Sequence, residues 1–245
     1  MKILVTSDTH GYLPEITKPF DLLLICGDVC PAHDHYFSFQ KDWFEGKFIS
    51  WVKALPFRDE WSKVVMTWGN HDFVGERLKD DDLDRMRQLS DGRLVILKNE
   101  EYDFEYLDEN EGIKTLKIFG TPYCKIFGNW AFMVSDDKLR EKYSKMPDNT
   151  DILITHDSPK LNRLGLIHQG WSAGTDAGSQ VLDEIIQEKK PRYVFSGHIH
   201  SGNHDFELVD VAKDGSEEEV LVKMANVSYI DERYQPAYPI LEFEI

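Results

Sequence analysis

Five short apolar runs in this chain each stop at a side chain of the kind that binds metal, and that recurrence constrains the fold more than any other feature. Ile3-Leu4-Val5 leads into Asp8-Thr9-His10, Leu22-Leu23-Leu24-Ile25 into Gly27-Asp28, and Val64-Val65-Met66 into Gly69-Asn70-His71-Asp72. Ile152-Leu153-Ile154 leads into His156-Asp157, and Tyr193-Val194-Phe195 into Gly197-His198-Ile199-His200. Short apolar runs without alternation predict strands buried on both faces. In open α/β sheets, functional groups collect beyond the carboxyl ends of the strands. The five ends therefore predict an α/β fold in which residues from 8 to 200 meet in one site, making 1–245 a single domain.

The residues expected to meet are Asp8, His10, Asp28, Asn70, His156, His198 and His200. All are oxygen or nitrogen donors and none is a thiolate, a set suited to manganese, iron or zinc and unlike a structural zinc site. Seven donors exceed one tetrahedral sphere, so two divalent ions sharing a carboxylate is the economical arrangement.

The formal net charge of -16 speaks against a nucleic-acid polymer or an anionic membrane as partner, because both select basic surfaces. A small phosphorylated substrate held by local metal charge remains compatible with it. Cys26, Cys30 and Cys124 are odd in number and unpatterned, so no disulfide framework is expected. No apolar run approaches a membrane span of about 18 residues. The first strand begins at Lys2-Ile3, leaving no room for a signal peptide, and a cytoplasmic setting is expected. The oligomeric state leaves no mark in the sequence.

Between the runs, Phe37, Phe44, Phe48, Trp51, Val52 and Leu55 recur near helical spacing and predict a crossover helix ended by Pro56, its aromatics serving as core. Asp80-Asp81-Asp82 and Ser135-Asp136-Asp137 read as acidic helix starts. Arg93 to Gly120 predicts antiparallel strands around a turn at Asn110-Glu111-Gly112, in a second sheet beyond the one bearing the ligands. Residues 158–178 predict a long Gly-rich loop, 179–189 an amphipathic helix, and Val220-Leu221-Val222 and Ile240-Leu241-Glu242-Phe243 two edge strands. His33, His35, His168 and His204 are expected as ordinary residues of loops near the site, and Tyr123, Trp130 and Trp171 as packing, with a part in shaping the pocket as the alternative.

Taken in order, Asp8-Thr9-His10, Gly27-Asp28, Gly69-Asn70-His71-Asp72, Thr155-His156 and Gly197-His198-Ile199-His200 resemble the calcineurin-like metallophosphoesterase superfamily. Thr121-Pro122-Tyr123, Thr155-His156-Asp157-Ser158-Pro159 and Gln235-Pro236-Ala237-Tyr238-Pro239 resemble its branch of small metallophosphoesterase-domain phosphodiesterases active on cyclic nucleotides. The resemblance implies a two-sheet β-sandwich flanked by helices on both sides. It implies two divalent ions, manganese first, with iron, zinc or nickel as alternatives. Asp8, His10, Asp28 and His200 would hold one ion and Asp28, Asn70, His156 and His198 the other, with Asp28 bridging. Hydrolysis would proceed through a hydroxide between the ions. His71 is then expected to protonate the leaving alkoxide, with Asp72 orienting its imidazole.

One departure bears on substrate. The phosphoprotein-phosphatase branch follows Gly-Asp with Asp-Arg-Gly, whereas here Gly27-Asp28 continues as Val29-Cys30-Pro31-Ala32. A phosphomonoester dianion benefits from a bidentate guanidinium, so its absence favours small phosphodiesters, cyclic nucleotides among them. Arg163 in the Gly-rich loop is the candidate substitute. A phosphomonoesterase of the same fold and a non-catalytic scaffold are the alternatives.

Overall fold

The computed structural model describes residues 1–107, 112–212 and 218–245. In chain order the strands are β1 (Lys2–Thr6), β2 (Leu22–Cys26), β3 (Lys63–Thr67), β4 (Leu94–Leu97), β5 (Glu100–Leu107), β6 (Ile113–Thr121), β7 (Cys124–Lys125), β8 (Met133–Val134), β9 (Ile152–Thr155), β10 (Tyr193–Ser196), β11 (Glu207–Asp210), β12 (Leu221–Asn226) and β13 (Leu241–Glu244). The α-helices are α1 (Phe37–Trp43), α2 (Ile49–Ala54), α3 (Phe73–Arg77), α4 (Asp80–Leu89), α5 (Asp136–Tyr143) and α6 (Gln180–Lys189), with a π-helical turn at Phe44–Phe48 joining α1 to α2.

Two mixed sheets result. One runs β13-β1-β2-β3-β4, with β1 to β4 parallel and β13 antiparallel at the edge. The other runs β11-β12-β10-β9-β6-β5, with four parallel inner strands and antiparallel partners at both edges. Side chains alternate across each strand, so each sheet feeds two cores. Val5, Leu24 and Val65 face Ile118, Ile154 and Phe195 between the sheets. On the outer face of the first sheet, Leu23, Ile25 and Met66 bury Phe44, Phe48 and Val52 from the α1–α2 segment. On the outer face of the second, Leu153 and Val194 bury Leu139, Leu182 and Ile186 from α5 and α6. The architecture is helices, sheet, sheet, helices.

The predicted crossover helix, both acidic helix starts and the amphipathic helix after the Gly-rich loop all form. The aromatic stripe is core, as expected, with Phe44 and Phe48 stacked at 4.6 Å between centroids.

Three expectations are corrected. Leu94–Leu97 joins the first sheet in parallel, because α4 carries the chain back across that sheet before the strand starts. Residues 221–226 are an inner strand, covered by the short polar β11 (Glu-Leu-Val-Asp), which has no apolar run to announce it. The ligand-bearing ends are also divided between the sheets, three from the first and two from the second. Of the expected turn, Asn110 and Glu111 lie outside the described residues. No helix among those described is long and apolar enough to cross a membrane.

Candidate metal centre

The site lies where the carboxyl ends of β1, β2 and β3 meet those of β9 and β10. The chain leaves three of these strands through left-handed backbone, with φ of 50° at Asp8 and 43° at His10 after β1, 52° at Asp28 after β2 and 69° at His198 after β10. Asp and His tolerate this region better than most residues, yet each instance stores on the order of 1–3 kcal/mol and persists only where surrounding structure enforces it. Gly69 and Gly197 permit the closest approaches. A Cβ on Gly69 would overlap the Asp28 carboxylate, and one on Gly197 would overlap the Ser7 hydroxyl and the Asp8 carboxylate. Gly197→Ala is therefore expected to lower stability by about 1–3 kcal/mol through overpacking, read as a fall in the melting temperature of the metal-free protein. An unchanged melting temperature would show that β10 and β1 can part without cost.

Two buried carboxylates organise the centre. Asp28 Oδ2 faces His10 Nε2 at 3.5 Å and His156 Nε2 at 3.4 Å, while its Oδ1 accepts the backbone N–H of His71 at 2.7 Å. Asp8 Oδ1 faces His200 Nε2 at 3.6 Å, and its Oδ2 accepts the Ser228 hydroxyl at 2.8 Å and the His198 N–H at 3.0 Å. His156 holds Asn70 Oδ1 through Nε2 at 2.8 Å and reaches the Cys26 carbonyl through Nδ1 at 2.9 Å. The His198 ring lies 5.1 Å from that of His156.

All seven predicted donors thus converge. Ligand atoms of Asp8, His10 and His200, and likewise of Asp8, Asp28 and His156, lie within 4.8 Å of one another. Asp8 is common to both groups, and Asp28 touches donors of each.

The electrostatics ask for a cation. Burial opposes ionisation of Asp8 and Asp28, but the facing imidazoles, His200 for Asp8 and His156 for Asp28, hold both carboxyls well below their ordinary range. His156, although buried, is pushed up to about 10 by Asp28. Burial takes His10 down to about 4 and His198 down to about 3, leaving both as neutral donors. His10 is 7% exposed, and neither of its ring nitrogens has a hydrogen-bond partner. A buried imidazole without a partner is costly unless it ligates. The residues present therefore fit a group of divalent ions.

His71 is half-buried beside this cluster and lines a cleft of about 390 Å³ together with Asp28, Asn70, Lys125, Trp130 and Tyr234. The expected Asp72 contact with its ring is not made. Asp72 instead accepts the backbone N–H groups of Cys30 and Gly69, both at 2.9 Å, and so ties the loop after β2 to the loop after β3. The ring partner of His71 is His35, with Nε2 3.1 Å from Nδ1, and Trp130 lies over His71 at 4.3 Å between centroids. His35 was expected as an ordinary loop residue and Trp130 as packing; for Trp130 the alternative, a wall of the pocket, is what the structure has. Their loops reach His71 only through the tertiary fold, and nothing local in the sequence signals it.

Lys125 on β7 is the cationic side chain of the cleft, whereas Arg163 is exposed and does not line it. His204 binds the backbone carbonyl of His200 at 2.9 Å, His33 and His168 are exposed, and Trp171 projects outward at 92% exposure.

Residues 1–202 match the family of calcineurin-like phosphoesterases. The UPF0046 protein T07D4.2 of Caenorhabditis elegans is 27% identical over 79% of this chain and 50% of its own length, so the chain spans half of that relative. Metallophosphoesterase domain-containing protein 1 of Homo sapiens is 25% identical over 100% of this chain and 71% of its own length. One solved structure, 11% identical, shares the fold with a TM-score of 0.51 over 92% of this chain and 89% of that one. Strand ends that deliver Asp, Asn and His into a single cation-demanding cluster, on a two-sheet frame matched over residues 1–202, place this chain in the calcineurin-like phosphoesterase family.

Proposed function

We propose that residues 1–245 act as one catalytic unit, a binuclear metal-dependent phosphodiesterase hydrolysing small phosphodiesters. The observation that carries this reading is the buried cluster itself, two ionised carboxylates and a His10 whose ring nitrogens make no hydrogen bond, beside a cleft that holds His71. Asp8, His10, Asp28 and His200 would hold one ion, and Asp28, Asn70, His156 and His198 the other, manganese being the first choice. Such a pair supplies Lewis acidity toward phosphoryl oxygens and toward the water that attacks phosphorus.

The remaining chemistry belongs to the chain. Lys125, whose ammonium donates to the Gly178 carbonyl at 2.9 Å, places a point charge on the cleft wall for a phosphoryl oxygen. His71, held through Nδ1 by His35, has Nε2 left to give a proton to the departing alkoxide. Burial outweighs the opposing pull of the Asp28 carboxylate and lowers the His71 pKa, which makes the protonated imidazole readier to release that proton. Backbone bonds to Asp72 fix the loop that carries it.

Preference for a diester rests on the missing fork. Val29 and Cys30, at the positions after Asp28, are fully buried, and among the described residues no arginine lines the cleft. Lysine offers a point charge and not the bidentate geometry that suits a dianionic monoester. The three free, buried cysteines are compatible with a reducing cytoplasm.

The test compares bis-p-nitrophenyl phosphate with p-nitrophenyl phosphate, using metal-stripped protein before and after reloading with manganese. Faster cleavage of the diester, dependent on reloading, is expected. Preference for the monoester would make the protein a phosphatase, and no turnover of either despite bound metal would favour a scaffold.

A further inference from the structure

A phosphodiester has two organic arms, and two cavities open at this centre. The cleft carrying His71 is one. The other, a chamber of about 720 Å³, opens beside His10, with walls of Tyr12, Pro31, Phe39 and Trp43, and Tyr234 lines both it and the cleft. Tyr234 lies beyond the family match at residues 1–202, and its left-handed backbone (φ 60°) sets its ring 4.9 Å from His10 and 5.2 Å from His200. His33 packs edge-on against Phe39 at 5.2 Å, and Lys47 and Asp42 stand at the mouth. A volume of this order holds a ring system with room to spare, and aromatic walls favour a planar guest by offset or edge-to-face contact.

We infer that this chamber is a binding subsite for the retained arm of the diester, and that it selects arms bearing a planar aromatic or heteroaromatic ring. The inference rests on the phosphodiesterase reading for its geometry. His71 lines only the cleft, so the arm that departs lies there, and the arm that stays on phosphorus is directed past His10 into the chamber. Tyr234, a wall of both cavities, borders both arms.

Two substrates that differ only in the retained arm, phenyl p-nitrophenyl phosphate and methyl p-nitrophenyl phosphate, separate this from leaving-group effects. With manganese-loaded protein the phenyl diester is expected to show a kcat/KM about tenfold higher, mostly through KM. Phe39→Ala, which opens the wall, and Ala32→Phe, which fills the chamber, should each collapse that ratio toward one. Equilibrium titration with diphenyl and dimethyl phosphate reads binding without turnover, and the diphenyl compound is expected to bind at least about tenfold tighter, a difference that shrinks in both variants to what the arm in the cleft contributes. Equal binding of the two compounds, or a preference untouched by either variant, overturns the inference. Should neither p-nitrophenyl diester be cleaved while the binding difference appears and depends on Phe39, the phosphodiesterase reading fails and the subsite stands.

Discussion

His71→Ala is expected to keep the full complement of bound metal and to lower turnover by about 10²–10⁴-fold, the range typical for loss of a general acid. Separation of the two effects follows from the geometry. The His71 ring bonds to His35, lies under Trp130 and packs edge-on against the His10 ring at 4.9 Å, while its hydrogen bond to the donor cluster comes from the backbone N–H, to Asp28. Alanine retains that N–H. The loss should grow with the basicity of the leaving group, near the lower end for p-nitrophenolate and near the upper end for an alkoxide, because the poorer leaving group depends more on the proton. Metal analysis beside kcat for a p-nitrophenyl and an alkyl leaving group, with the retained arm held constant, provides the check. Equal losses for both leaving groups would remove His71 from the role of acid.

Asp28→Asn is expected to act on metal and turnover together. The carboxylate carries charge toward His10 and His156 from one oxygen and takes the His71 N–H on the other. The isosteric amide preserves volume but removes the charge that both proposed ions share. Bound metal should fall to one ion or none, and turnover by on the order of 10³-fold. A second signature appears in the metal-free protein. Asp28 is the main influence raising His156 against burial, so in the variant the imidazole should lose its proton well below the value of about 10 that it holds in the parent. Nuclear magnetic resonance titration of the His156 ring reads this directly. An unchanged His156 titration together with two bound ions would show that Asp8 alone sustains the centre.

The convergence of the seven donor side chains was legible because each sits at a fixed local offset from an apolar run, and a run followed by glycine and a polar residue is a signal confined to a few positions. The helices were legible from spacing and acidic starts, as in the α1–α2 segment and α4. What escaped the sequence depends on contacts between distant segments. β11 is four residues of mixed character, made a strand only by the inner strand that it covers. Asp72 adjoins His71 in sequence yet turns its carboxylate to Cys30 and Gly69, because the unpaired N–H groups of two tight loops are its nearest buried donors. His35 replaces it beside the ring, from a loop 36 residues away. The left-handed backbone at Asp8, His10, Asp28 and His198 has no compositional signature, since glycine, the usual occupant, would forfeit the ligand.

The division of the donors between two sheets makes the intersheet core a ruler for the chemistry. Asp8, His10, Asp28 and Asn70 are carried by one sheet and His156, His198 and His200 by the other, so the separation of the two sets is fixed by the thickness of side chains such as Leu24, Ile154 and Phe195 between them. Packed interiors respond to the volume of a single methylene. Spacing at the centre is thus written into apolar residues that never touch it, and repacking that layer would tune the site as a spacer changes the gap between two plates.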